Sequence, residues 1–255
     1  KERKLPLTPE TYFSAIFPLL DDESKEGRFG GVEAKIVDFN VAVCYLLSFV
    51  FPLLPQEMLR AEAENNGRLY ATFAHSMRRF HLVAPFVRSA CGCVCALLSA
   101  HAQDDWKDDR ESLGELFLLL LGWSIDARPK VRKVAQEAVS SLVLESGSAS
   151  ALACEFASTA LLNATRKDPS TVMQLLPLCK TLLSLPVSEA TDNLVSGLLH
   201  DLTLGNTSLS CLIYSTLEQF ANAATEGPVE VDGPIYGRVY KRLLDGLLKT
   251  PPVEV

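Results

Sequence analysis

The sequence has no excess of positive charge, because its 255 residues include 31 acidic and 24 basic side chains and the net charge is −7. Binding along a phosphate backbone depends on neutralising its negative charge, so this composition excludes a surface that covers nucleic acid everywhere. Any contact with nucleic acid must therefore be local.

Long apolar runs and paired cysteines are also lacking. The seven cysteines are an odd number, and most lie within apolar stretches, as free thiols do in the reducing cytosol or nucleus. The longest stretch without a charge runs from Phe39 to Gln56, but it contains prolines and polar residues. Its strictly apolar part falls short of the roughly 20 residues that a membrane span needs. We therefore expect a buried helix here and no contact with a membrane.

Alternating apolar and polar residues of the kind that form hairpin strands are almost absent, and helical periodicity dominates. Roughly a dozen helices of about 12 to 20 residues are expected, joined by short turns that make neighbours antiparallel. Such pairs are typical of HEAT and armadillo repeats, with a period of about 40 to 47 residues. We predict an all-α fold, a HEAT/armadillo-like α-solenoid in which residues 1–255 form one segment of about five or six repeats.

The ends of the sequence resemble cuts or linkers, since no methionine opens it and no signal peptide is visible. We expect the chain to be a segment of a longer protein. Near the start, Thr8 is expected to cap the first helix and Pro9 to occupy its first position, where a missing N–H costs nothing.

No set of residues with the spacing of a catalytic, metal or cofactor site is recognisable. On a helix Cys91 and Cys95 share a face while Cys93 points elsewhere, and no second cluster of Cys or His has zinc spacing. His75 and His81 do not share a helix face. The segment "GRFGG" at residues 27–31 lacks the Lys-Ser/Thr pair of a phosphate-binding loop. We expect no cofactor and no enzymatic activity.

The segment "DARPKVRKVAQEAV", residues 126–139, is the strongest local pattern. Asp126 is expected to cap the start of a helix, and small alanines on the buried side let a neighbouring helix approach closely. The residues expected on this buried side are Val131, Val134, Ala135, Ala138 and Leu142.

Two interpretations of the polar side of this helix remain open. In the first, Asp126 and Arg132 take part in a ladder between repeats, with Arg132 paired to the aspartate of an adjacent repeat. In the second, the polar side is an ordinary solvated face, with Lys133 paired to Glu137 one turn on and Arg132 beside the neutral Gln136.

Basic residues form three clusters, each of which is either a solvated helix face or a contact with RNA or an acidic partner. The clusters are Arg78 and Arg79; Arg128, Lys130, Arg132 and Lys133; and Arg238, Lys241 and Arg242. The middle cluster is the best candidate contact, because a helix N-terminus also favours an anion through its unpaired N–H groups.

Two segments resemble one family. "LTPETYFSAIFPLL", residues 7–20, resembles the Thr-Pro-x-x-Tyr-Phe helix of the ribosomal RNA processing protein twelve family, and "ARPKVRKVAQEAV", residues 127–139, resembles its Arg-Pro-Lys-Val-Arg-x-x-Ala-Gln helix. Members of this family are long HEAT-repeat proteins of the nucleolus. The matching residues cover about a tenth of the chain.

The resemblance implies a non-catalytic scaffold in ribosome biogenesis, part of a large complex that binds pre-ribosomal particles, small-subunit precursors with their proteins and assembly factors. It implies a role in rRNA processing and nuclear export, contacts with rRNA and with the nuclear transport machinery, and a location in the nucleus and nucleolus with shuttling to the cytoplasm. The alternatives are a karyopherin-like nuclear transport receptor and a generic HEAT adaptor.

Overall fold

Helices account for the regular structure of the chain. The computed structural model describes residues 8–20, 32–66, 68–101, 112–163, 169–202, 207–226 and 233–249. Within these ranges the chain forms twelve α-helices, one short 3-10 helix at Phe51–Leu53, and no β-strand, so the predicted all-α class is confirmed. The α-helices are α1 (Pro9–Leu20), α2 (Glu33–Val50), α3 (Gln56–Asn66), α4 (Arg68–Arg79), α5 (Ala84–Ser99), α6 (Ser112–Ser124), α7 (Pro129–Glu145), α8 (Gly147–Asn163), α9 (Pro169–Leu183), α10 (Glu189–Leu202), α11 (Thr207–Glu226) and α12 (Gly233–Lys249). The segment "GRFGG" lies outside the described residues.

Helix starts follow the local sequence. Thr8 precedes α1, its hydroxyl oxygen accepts a hydrogen bond from the Thr11 N–H at 3.4 Å, and Pro9 is the first helical residue, as expected. Pro129 opens α7 in the same way. Ser146 separates α7 from α8, and its hydroxyl accepts the Ala149 N–H at 3.3 Å, which satisfies one of the free donors at a helix start.

Contacts divide the chain into two compact units, Lys1–Glu145 and Ser146–Val255. In the first unit α2 packs against α5 and α5 against α7, so these helices form one row. Helices α4 and α6 form a second row, and α6 pairs with α7. Four phenylalanines join α1, the 3-10 helix and α4, with ring centroids 5.4 to 6.3 Å apart across the elements. They are Phe13, Phe17, Phe51 and Phe73.

The second unit has the same organisation. Helices α8, α10 and α12 form one row, α9 and α11 form the other, and α8 pairs with α9 and α10 with α11. Gly197 of α10 lies so close to α8 that an added Cβ would be 3.1 Å from the Leu161 Cβ. Helices that are two apart in the chain therefore stack side by side, as they do in helical-pair repeats, except that α2 and α5 of the first unit are three apart because the additional helix α3 lies between them in the chain. The number of repeats expected from the sequence stays a prediction.

Helix α2 is only half-buried, which differs from the sequence expectation. Its inner face packs against α1 and α5, whereas Tyr45, Leu46 and Phe49 are at least half exposed on the outer face. The segment Glu33–Leu53 has 21 residues, includes an 18-residue window with a mean hydropathy of 1.9, and is long and apolar enough to span a membrane by length and composition. It is longer than the strictly apolar part of the uncharged stretch because the helix begins at Glu33. A core helix of a soluble protein passes the same test.

We predict losses of stability of very different size for the same substitution at two adjacent residues of α2. Leu47 is 0% exposed and Leu46 is 50% exposed. Leu47→Ala should lower the free energy of unfolding by about 2 to 5 kcal/mol, because it leaves a cavity between helices. Leu46→Ala should cost less than about 1 kcal/mol. Chemical denaturation measures both, and equal losses would show that α2 is not packed through its Leu47 face.

A carboxyl group is buried in the second unit. Asp201 of α10 is 1% exposed, and neither side-chain oxygen has a hydrogen-bond partner among the residues that the structure describes. Burial raises the pKa of Asp201 from 3.8 to about 7, because the charged form has lost its hydration. The same carboxyl contributes to the raised pKa of the buried Cys179 thiol, although burial is the larger cause there.

The raised pKa of Asp201 makes stability depend on pH. The folded chain holds the proton more tightly than the unfolded chain, so the contribution to stability is complete below the unfolded pKa of 3.8 and is lost as the pH rises towards 7. Asp201→Asn removes the titration and should therefore stabilise the protein more at pH 8 than at pH 5. Urea denaturation of both proteins at both pH values measures this, and an equal effect of the substitution at pH 5 and pH 8 would contradict the prediction.

Candidate interaction surface

The turn between α6 and α7 is organised by Asp126 and Arg128. The Asp126 carboxylate accepts the Arg128 backbone N–H at 2.8 Å. It also accepts the guanidinium through two bonds, from Nε at 2.8 Å and from Nη2 at 2.7 Å. This two-point pairing uses both carboxylate oxygens and fixes the plane of the guanidinium.

The same guanidinium reaches the turn between α4 and α5. Arg128 Nη1 donates to the carbonyl oxygen of Leu82 and Nη2 to that of His81, each at 2.8 Å. One side chain thus binds a carboxylate of its own turn and two carbonyls of the preceding helix pair. We call this set of contacts, formed by Arg128 with Asp126, His81 and Leu82, the Arg128 bridge. It joins two segments that are 46 residues apart in the chain.

Electrostatics reinforce the Arg128 bridge. The hydrogen bonds from the Arg128 side chain hold the pKa of Asp126 below its usual value, and the Asp126 carboxylate raises the pKa of Arg128 in turn. Both groups are therefore charged at neutral pH, and the charge of Arg128 is balanced within the protein. The positive charge of the middle cluster that Asp126 does not balance lies on Lys130, Arg132 and Lys133.

Arg132 does not reach an aspartate side chain of a neighbouring repeat in the described part of the chain. Its Nη1 donates to the backbone carbonyl oxygens of Asp126 at 2.6 Å and of Ala127 at 3.3 Å. The guanidinium of Arg132 is instead held against the carbonyl oxygens of the turn that precedes its own helix. Among the described residues, Arg128 and not Arg132 links this turn to the preceding helix pair.

Lys130 and Lys133 extend into solvent from the first turns of α7. Both are exposed, and Lys133 Nζ lies 3.9 Å from Glu137 Oε1 one turn on, the pair of the second interpretation. An exposed pair of this kind contributes little to stability. Gln136 donates from its side-chain nitrogen to the Ser124 carbonyl at 2.9 Å. The two lysines are therefore accessible to a partner.

The Arg128 bridge brings the first basic cluster near the middle one. Arg78 and Arg79 end α4, just before the carbonyls that Arg128 binds. Arg78 pairs with Glu115, and Arg79 pairs with Glu33 at 3.6 Å. The first cluster is thus largely neutralised by acidic neighbours. The third cluster lies on α12 in the second unit.

The buried face of α7 agrees with the sequence pattern except at one position. Val131, Ala135, Ala138 and Leu142 are buried, whereas Val134 is only half-buried. Ala138 meets α5, where the Cys95 thiol lies 3.8 Å from its carbonyl oxygen. Small residues therefore line the contact between α7 and α5.

The three close cysteines of α5 lie in the core or near it. Cys91 and Cys93 are 0% exposed, and burial raises the pKa of the Cys91 thiol to about 12. Cys93 and Cys95 point to different neighbours, since the Cys93 thiol lies 3.9 Å from the Cys44 carbonyl oxygen of α2 and the Cys95 thiol lies against α7. Both directions are covered because α5 has α2 on one side and α7 on the other. Across the described ranges no group of three His, Cys, Asp or Glu residues has a metal-binding arrangement. His75 and His81 are both exposed.

Arg128→Lys should destabilise the first unit by about 1 to 3 kcal/mol, since a single ammonium cannot bind the carboxylate and both carbonyls in the same geometry. Lys130→Ala, at an exposed neighbour, is the control and should change the free energy of unfolding by less than about 0.5 kcal/mol. Chemical denaturation measures the free energy of unfolding of both variants. Equal free energies of unfolding for Arg128→Lys and Lys130→Ala would mean that the Arg128 bridge contributes no stability.

Ala135→Leu should destabilise by about 1 to 3 kcal/mol, because a larger side chain does not fit between α7 and its neighbours. Ser141→Leu places the same side chain at an exposed position of α7 and should have a small effect. Thermal melting distinguishes the two variants, and a stable Ala135→Leu protein would show that the contact has unfilled space.

Comparisons with known proteins agree with this architecture. A family model described as RRP12-like, N-terminal HEAT repeats, matches residues 1–201. The chain is also similar to uncharacterized protein C1105.01 of Schizosaccharomyces pombe, with 24% identity over 142 residues, which is 55% of this chain. The match covers 12% of that relative's length. No solved structure matches the chain. The chain therefore belongs to the family of RRP12-like N-terminal HEAT repeats, and its fold is an all-α solenoid of helix pairs.

Proposed function

We propose that this chain is a non-catalytic HEAT-repeat scaffold in ribosome biogenesis, which binds pre-ribosomal particles and supports rRNA processing and nuclear export. The observation that carries the proposal is the family match over residues 1–201. The proposed location is the nucleolus and nucleus, with shuttling to the cytoplasm. The proposed partners are small-subunit precursors, their assembly factors and rRNA.

The helix rows support a scaffold role. Each row buries apolar faces against its own neighbours and leaves the turns between helices at its edges. Stacked repeats of this kind offer extended surfaces for binding large partners. Recognition by such a surface needs neither a cofactor nor a catalytic group.

Lys130 and Lys133 are the proposed contact residues within the middle cluster. The Arg128 bridge holds the start of α7 in a fixed position, so two exposed cations project from a rigid base. The chain is acidic as a whole, and a local positive site of this kind suits a single contact with phosphate or carboxylate better than binding along a nucleic acid.

We expect the double variant Lys130→Glu/Lys133→Glu to weaken co-sedimentation of the chain with pre-ribosomal particles by about tenfold, because the contact would become repulsive. The matched control is Lys35→Glu/Lys180→Glu, which changes the charge equally at two exposed lysines elsewhere. Circular dichroism should show unchanged helix content in both variants.

The outcomes of this experiment separate the alternatives. Equal co-sedimentation of both double variants would remove the two lysines from the contact. Failure of the unmodified chain to sediment with pre-ribosomal particles would contradict the scaffold proposal. Release of a bound basic cargo by a small GTPase would instead favour a nuclear transport receptor.

A further inference from the structure

An apolar patch lies on the outer face of α2 and of the 3-10 helix that follows it. Its members are Tyr45, Leu46, Phe49 and Leu53, whose residues are 50 to 66% exposed. The rings of Tyr45 and Phe49 lie one helical turn apart and pack edge to face, with centroids 4.8 Å apart. We call these four residues the outer patch.

The inner face of α2 is already occupied within the first unit. The Cys93 thiol of α5 lies 3.9 Å from the Cys44 carbonyl oxygen, and a Cβ added at Gly92 of α5 would lie 3.8 Å from the Ser48 Cβ. Leu47 is 0% exposed. Since neighbouring residues of a helix are about 100° apart, the side chains of the outer patch point away from Cys44 and Leu47. The packing of α2 against α1 and α5 therefore leaves the outer patch uncovered.

No charged residue belongs to the outer patch. The sequence has no acidic or basic residue from Phe39 to Gln56. The exposed charges that flank this stretch are Lys35 and Asp38 before it and Glu57 after it, so both signs are present. Asp38 lies about 16 Å from Phe49 along the helix axis, at about 1.5 Å per residue. The patch therefore offers no cation to a nucleic acid and no charge to an acidic or basic partner.

The absence of charge makes this face suitable for a second copy of the chain. Two chains that each have a net charge of −7 repel each other, and this repulsion opposes association through acidic surfaces. Contact through the outer patch brings no like charges together at its centre. Aromatic residues are also enriched at the centres of protein interfaces.

The apolar area of the outer patch is sufficient for a small dimer. The four side chains expose roughly 400 Å² together, since a large aromatic side chain offers roughly 150 to 250 Å². Apolar atoms supply about 65% of a homodimer interface, so a contact between two such patches buries roughly 1,200 Å² in total. That area is at the lower limit for specific interfaces, which indicates a weak dimer.

We propose that the outer patch is the contact between two copies of this chain, related by a twofold axis that passes close to Phe49. In such a contact each copy presents the same surface, so an apolar patch is its own complement. Phe49 follows Tyr45 by four residues and precedes Leu53 by four, so it lies in the middle of the patch. Its ring therefore meets the same ring of the second copy. The proposal does not depend on the ribosome-assembly function.

Sedimentation velocity of the 255-residue chain tests the proposal. The sedimenting mass should rise from 27.9 kDa to twice that mass as the concentration passes through the micromolar range, as expected for a small interface. Phe49→Lys and Phe49→Glu should each weaken self-association more than about tenfold, because like charges then meet at the axis. Circular dichroism should show unchanged helix content, since more than half of Phe49 is exposed.

A mixture of the two Phe49 variants tests the twofold axis itself. Equal amounts of Phe49→Lys and Phe49→Glu should form a heterodimer, because the lysine of one copy meets the glutamate of the other, whereas each variant alone stays monomeric. Leu248→Lys places the same charge at a leucine of α12 that is 84% exposed. It is the control and should self-associate as the unmodified chain does.

The proposal is overturned if the unmodified chain stays monomeric throughout the micromolar range, or if Leu248→Lys abolishes self-association as Phe49→Lys does. A dimer that persists in both Phe49 variants would place the contact elsewhere and overturn it too. Failure of the two variants to pair with each other would exclude the twofold axis at Phe49. Flotation of a monomeric chain with phosphatidylcholine vesicles, lost in Phe49→Lys, would show that the outer patch contacts lipid instead.

Discussion

The burial of apolar faces between helices that stack side by side in a row, without being consecutive in the chain, is the interaction on which the structure depends. In the first unit α5 lies between α2 and α7, and in the second α10 lies between α8 and α12. Each central helix must therefore be apolar on two sides, which explains why Cys91 and Cys93 are both buried in α5. Small residues such as Ala138 in α7 and Gly197 in α10 lie where neighbouring helices approach.

Polar contacts set the geometry at the edges of these rows. In the Arg128 bridge, a side chain from the turn between α6 and α7 donates hydrogen bonds to the carbonyl oxygens of the turn between α4 and α5. The bridge therefore joins two turns that are far apart in the sequence. On α12, Arg238 and Arg242 are positioned in a comparable way by Glu189 and Asp192 of α10. In both places paired charges lie close in sequence to an exposed lysine, Lys130 in one and Lys241 in the other.

Local sequence contains enough information for the helices but not for these contacts. The start of α1 at Pro9 and the buried positions Val131, Ala135 and Leu142 follow from capping chemistry and periodicity. The partners of Arg132 do not, because they depend on the three-dimensional course of the turn at Asp126 and Ala127, whose backbone carbonyls its guanidinium binds. The contacts of Arg128 with carbonyls 46 and 47 residues away depend on how the helix pairs stack. A signal was present in the Asp126 and Arg128 spacing, since an aspartate before a helix commonly binds the N–H two residues on.

Hydrogen exchange within the first unit tests the stacking of helices most directly. Helix α5 packs against both α2 and α7, whereas in α3 only Leu59 is buried among residues 56–62, the part of that helix whose side chains the structure describes. If side-by-side burial holds the unit together, the amides of Ala84–Ser99 should be the slowest to exchange and those of Gln56–Asn66 should exchange much faster. Exchange of α5 at the rate of α3 would contradict the account.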